Sequence, residues 1–177
     1  MAPIEYLPEQ GRKGIRILPP GSNDHLAPDT DVYRKIVILV YPPLALRPGV
    51  TPTARDLHWS LSWRVKDGWR HIHINAENTS YDPQLPRRYV YWGPITKSSG
   101  YATSGAKEVP LGYMSLAMRR RIEQLAWSVQ VARPNGQWNC QNWIVDLLCK
   151  MHQDGIITQS KWSQVVAEAP HVWDGRL

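Results

Sequence analysis

From His58 to Val65 the chain alternates without a break, with Trp59, Leu61, Trp63 and Val65 on one side and His58, Ser60, Ser62 and Arg64 on the other. A period of two is that of a strand with one apolar face. Asp67-Gly68 supplies a turn, and residues 69–75 return as a second strand carrying His71, His73 and Asn75 on a shared face, so the two runs predict a hairpin. Upstream, residues 35–41 form a compact β-branched run stopped by Pro42-Pro43, the pattern of a strand buried on both faces. Residues 88–92 read as a further strand ended by Gly93-Pro94. Residues 96–110, punctuated by glycine and proline, read as a polar loop.

The second half changes period. Met118, Ile122, Leu125 and Val129 recur at intervals of four, three and four, which predicts a helix over residues 115–128 with Arg119, Arg120 and Glu123 on its solvated side. Pro134-Asn135-Gly136 breaks the chain. Asn139 then serves as an N-cap for a helix whose apolar stripe is Trp143, Ile144, Leu147, Leu148 and Met151, stopped by Gly155. A short amphipathic segment over residues 160–168 follows. Strands first and helices afterwards predict an α+β fold: an antiparallel sheet of about four or five strands packed by helices from the C-terminal half. Residues 1–32, rich in Pro, Gly and charge without a sustained period, read as an irregular N-terminal arm with partial order at best, and residues 33–177 as a single α+β domain.

Composition narrows the function classes. Nine Trp and eight Tyr with no Phe give the large rings polar edges that need partners. The net charge of +6 permits attraction to anions. However, the densest basic run, Arg119-Arg120-Arg121, lies on an amphipathic helix beside Glu123, so nucleic acid is not the expected partner. The longest apolar run is too short to span a bilayer, and the first residues lack a basic start followed by an apolar stretch. The two cysteines, Cys140 and Cys149, are separated on one helix by roughly 13 Å of rise. They cannot bridge, and two free thiols fit a reducing, cytoplasmic setting.

Candidate chemistry centres on Asn139-Cys140-Gln141-Asn142. A cysteine in the first turn of a helix meets the positive end of the dipole and unpaired amides, which favour thiolate. The competing account is a small buried hydrophobe. His58-Trp-Ser-Leu-Ser-Trp, then Asp67-Gly68-Trp-Arg-His71-Ile-His73, and far downstream Asn139-Cys140-Gln141-Asn142-Trp143 together resemble the circularly permuted papain-like group that includes lecithin:retinol acyltransferase. The resemblance covers residues 56–155 at most. It implies Cys140 as nucleophile, His58 as general base, and His73 or His71 as the group that orients the base. His71 and His73 flank the position where the family carries its second histidine, and Gln141-Asn142-Trp143 stands where Glu-His-Phe is usual.

The function expected on this basis is a cysteine-dependent hydrolase or acyltransferase that acts on an amide, ester or thioester through an acyl-Cys140 intermediate. The amides of Cys140 and Gln141 would face the developing oxyanion. Tyr89, Tyr91 and Trp92 are candidates for lining a substrate groove, with ordinary sheet packing as the alternative. No cofactor is implied. A zinc site built from His58, His71 or His73 with Cys140 has suitable ligands but none of the usual spacings, so no metal is expected. One tension runs through the reading: His58 lies on the polar face of its strand, and Cys140 on the apolar face of its helix. They meet if the helix crosses the Ser60/Ser62 side or if both groups sit at the end of the sheet. The alternative function is a non-catalytic binding protein with an aromatic-rich pocket for a small molecule or protein partner. The oligomeric state is open.

Overall fold

The computed structural model describes residues 4–43, 51–82, 84–98 and 100–174. In chain order the strands are β1 (Tyr6–Leu7), β2 (Arg34–Tyr41), β3 (His58–Val65), β4 (Gly68–Ile72), β5 (Asn75–Glu77), β6 (Arg88–Val90), β7 (Ile95–Ser98), β8 (Lys107–Met114) and β9 (Val131–Ala132). The helices are α1 (Tyr101–Gly105), α2 (Leu116–Trp127), α3 (Cys140–Gln153) and α4 (Gln159–Glu168). Five strands form an antiparallel sheet in the order β7-β4-β3-β2-β8, the α+β arrangement expected. β5–β6 and β1–β9 are small separate ladders.

The alternation in β3 sorts the sheet into two unlike faces. Trp59, Leu61 and Trp63 join Ile36, Ile38 and Val40 of β2 in the main core. Ile122 of α2, Trp143, Ile144 and Leu147 of α3, and Val165 of α4 complete it, so the three longer helices lie on this side. The opposite face carries a smaller cluster of Val37, Leu39, Tyr41 and Trp69, against which Ala106 packs just after α1. His58, Ser60 and Ser62 belong to that second face. The register confirms it, because Tyr41 is paired with His58 and Ser62 with His71.

Local chemistry explains the element ends. Asn139 Oδ1 accepts from the Gln141 amide, and Asn142 Oδ1 accepts from the Asn139 amide, a reciprocal capping box that fixes where α3 begins. Ser115 caps α2 in the same manner by accepting from the Met118 amide. Gly155, at φ 76°, supplies the left-handed residue beyond α3. In the β3–β4 turn it is Asp67 that takes positive φ, whereas Gly68 is the first residue of β4, where a Cβ would collide with the Lys97 carbonyl.

Three expectations need correction. Residues 96–110 are not a loop: they contain most of β7, all of α1 and the start of β8. Pro110 and Gly112 obscure β8 in the sequence. It is an edge strand with a register shift opposite Ile36/Val37, a place where a missing N–H is tolerated. The N-terminal segment has little regular structure, as its composition implies, but it is not a loose arm. Leu7, Ala27 and Asp29 are buried, and β1 pairs with β9.

Arg119 is also not on a solvated face. It is fully buried, and each of its five guanidinium N–H groups has an acceptor. Nε and Nη2 donate to the two Asp29 carboxylate oxygens at 2.9 Å each, Nη2 also to the Thr30 carbonyl, and Nη1 to the Val32 and Met114 carbonyls. Glu123 is likewise buried and accepts from Arg70, which also donates to Asp24 of the N-terminal segment. Among the described residues no helix is long and apolar enough to cross a membrane.

Candidate functional site

The hairpin β3–β4 brings the three central histidines together. His71 and His73 are two positions apart, so both rings leave the chain on the face that also carries His58. His58 Nε2 lies 2.9 Å from His73 Nδ1, a hydrogen bond that fixes one proton between two neutral rings. The His71 and His73 rings stack at 5.8 Å, and those of His58 and His73 meet edge-on at 5.1 Å. Ser62 Oγ lies 2.9 Å from His71 Nδ1 and 2.9 Å from Ser60 Oγ, so the small residues of β3 orient His71. Of the two histidines considered as partners of His58, His73 is the one within hydrogen-bond distance of it.

These rings line a cavity of about 350 Å³ with Tyr41, Asn75, Lys97, Ser98, Gly100 and Thr103. Most of its wall is carbon surface. Burial pushes the imidazoles strongly towards the neutral form, with the nearby Lys97 charge adding to the effect. His58 and His71 are each lowered to about 4, and His73 well below its usual range. Burial also pushes the Tyr41 hydroxyl up to about 12, against a hydrogen bond with Thr103. His73 Nε2 is buried and has no hydrogen-bond partner among the described residues.

Cys140 lies elsewhere. It belongs to the main core, 7% exposed, and its Sγ lies 4.0 Å from the Leu57 carbonyl. Its helix packs on the Trp59/Leu61/Trp63 face, the opposite side of β3 from His58. Among the described residues no hydrogen bond joins Cys140 to an imidazole, although its sulfur sits beside the backbone of Leu57 and Trp59, the residues that flank His58. The cause is the apolar stripe of α3, which seeks the apolar face of the sheet and carries Cys140 with it. Burial pushes the thiol pKa up. The amides of Trp59, Cys140 and Gln141 and the Arg55 charge oppose that shift without cancelling it.

Three of the remaining candidates, Gln141, Tyr89 and Tyr91, have structural partners. Gln141 is buried, and its Nε2 donates to the Ala54 and Leu57 carbonyls, clamping the entry to β3 onto α3. Tyr91 is fully buried between Trp127 and Trp143, at 4.8 and 4.9 Å. Tyr89 packs edge-on against Trp138, and Trp92 is half-buried with its Nε1 enclosed. None of these residues lines the histidine cavity.

No family model, no curated protein and no solved structure matches this chain. The site is therefore read from its own geometry. Among the described residues no group of three or more His, Cys, Asp or Glu side chains is arranged to hold a metal. Tyr41, Lys97 and Thr103 escaped the sequence reading. Tyr41 was legible as the third member of the Val37, Leu39, Tyr41 alternation, but Lys97 and Thr103 fall in the stretch read as a loop.

A direct consequence concerns thiol reactivity. At pH 7 Cys149, which is half-buried, is expected to alkylate with iodoacetamide before Cys140. Cys140 should label only at alkaline pH or on unfolding, because burial favours its thiol form. His58→Ala should leave the Cys140 rate unchanged within about twofold, since the imidazole does not touch the sulfur. Peptide mass spectrometry of both sites between pH 6 and 10 measures this. Rapid Cys140 labelling at pH 6 that is lost in the variant would restore the nucleophile–base pair.

Proposed function

We propose that this chain is a binding protein that takes a small molecule into the cavity formed by His58, His71, His73, Tyr41, Lys97 and Thr103. The observation that carries the reading is the separation of the two candidate centres. The imidazoles line a cavity on one face of the sheet, and the thiol is enclosed in the core on the other. Acyl transfer through cysteine needs base and sulfur within hydrogen-bond reach, directly or through one water. A concave, mostly apolar site with a few convergent polar groups is the usual form of a small-molecule pocket. A volume of about 350 Å³ falls at the lower end of such sites. Both free thiols suit a reducing compartment, which we include in the proposal.

The test is ligand-observed and imidazole-observed NMR with a fragment library, alongside turnover assays on activated esters and thioesters. Binders are expected to shift the ring signals of His58, His71 and His73. His58→Ala should weaken them at least tenfold, and Cys140→Ser should leave them unchanged. Turnover that Cys140→Ser abolishes would replace this reading with the cysteine enzyme.

A further inference from the structure

We infer that the ligand of the histidine cavity is a small apolar monocarboxylate whose carboxylate meets Lys97 and the His58–His73 pair. The inference rests on the binding reading above and adds the chemical class.

Charge is the first argument. Tyr41 of β2, His58 of β3, His71 of β4, His73 just beyond β4, Lys97 of β7, and Thr103 of α1 line the cavity, and among the described residues no acidic side chain lines it. Among the described residues Lys97 is the one permanently charged side chain that lines it, and it makes no ion pair or hydrogen bond with any of them. A single exposed ammonium beside a mostly carbon wall suits one negative charge attached to an apolar body. A dianion would need further cations.

The proton inventory is the second. One proton lies in the His58–His73 bond. If His58 donates it, His73 must carry its own proton on Nε2, a donor with no acceptor. If His73 donates it, Nε2 is a bare acceptor with no donor. Both tautomers leave a buried polar atom unmet, which costs about 1–3 kcal/mol. A carboxylate oxygen cures the first case directly. It also offsets the burial that holds the rings neutral, so the pair can accept a proton from solvent, and Nε2–H then donates whichever way the inner proton sits. Binding is accordingly coupled to uptake of about one proton.

The experiment is calorimetric titration of the full chain with benzoate and hexanoate, each against its neutral amide, at pH 6 in MES and in bis-Tris. The carboxylates are expected to bind at least tenfold more tightly than the amides. The heat difference between buffers should report uptake of about one proton, and Kd should weaken up to tenfold per pH unit above pH 6. Lys97→Gln, at an exposed position, should lose tenfold or more for the carboxylates and little for the amides. Amides that bind as tightly as the acids, or an unchanged Kd in Lys97→Gln, would overturn the carboxylate inference while leaving the cavity a binding site. If neither these probes nor the neutral and cationic fragments of the library move the His58, His71 or His73 ring signals, the binding reading falls and the inference with it.

Discussion

Arg119→Ala is expected to destabilise the protein by about 3–5 kcal/mol, the range for removing one partner of a buried ion pair. The guanidinium is fully enclosed and has five acceptors, two of them the Asp29 oxygens. Its loss leaves Asp29 buried, with Arg34 and the Trp63 indole as remaining donors, and frees three carbonyls. Asp29→Ala should cost a similar amount, because it strands the guanidinium in the core. Arg119→Lys should recover little, since an ammonium cannot reproduce the five-donor fork. The double variant should lose less than the sum of the singles, as neither charge is then left unpaired. Urea unfolding at pH 7 measures all four. Losses below about 1 kcal/mol in both singles would mean that the N-terminal segment contributes nothing through this pair.

Acidification should produce the second large effect. His58 and His71 are each lowered to about 4 in the folded chain, against about 6.5 when unfolded. Between those values the unfolded state binds protons that the folded state refuses, so stability rises with pH and falls as pH drops from 6.5 towards 4. Above 6.5 both states are neutral at these groups and the contribution is flat. The loss is on the order of 3 kcal/mol for each ring by pH 4. His73 lies between them, its ring 5.1 Å from that of His58 and 5.8 Å from that of His71, so a proton on one ring raises the cost of a proton on the next. Urea midpoints at pH 7, 5.5 and 4.5 should fall in the wild type and fall less steeply in His58→Asn and His71→Gln. Identical pH profiles in all three proteins would remove the cluster as the source.

The ladder of local signals carried much of this molecule. Strict alternation placed β3 and the orientation of His58, and spacing by two put His71, His73 and Asn75 on one face. Asn139, followed by an apolar stripe, located the start of α3 to the residue. Each signal depends on neighbours within one turn or one hairpin, and propensity and patterning act at that range. β8 was lost because Pro110 and Gly112 are penalised as strand residues unless the strand is known to be an edge. Edge position is a property of the finished sheet.

Residue order therefore established the α+β class, the histidine hairpin and a cysteine at a helix start. It did not establish which groups share a site. Assembly decided that α3 packs on the tryptophan face of β3, because burying its apolar stripe against Trp59, Leu61 and Trp63 outweighs any attraction between a thiol and an imidazole. Assembly also turned Arg119 inward, to a carboxylate 90 residues away. A basic residue on an amphipathic helix looks the same in sequence whether water or Asp29 receives its protons. Packing the N-terminal segment against α2 supplied the acceptors that made burial of that charge possible.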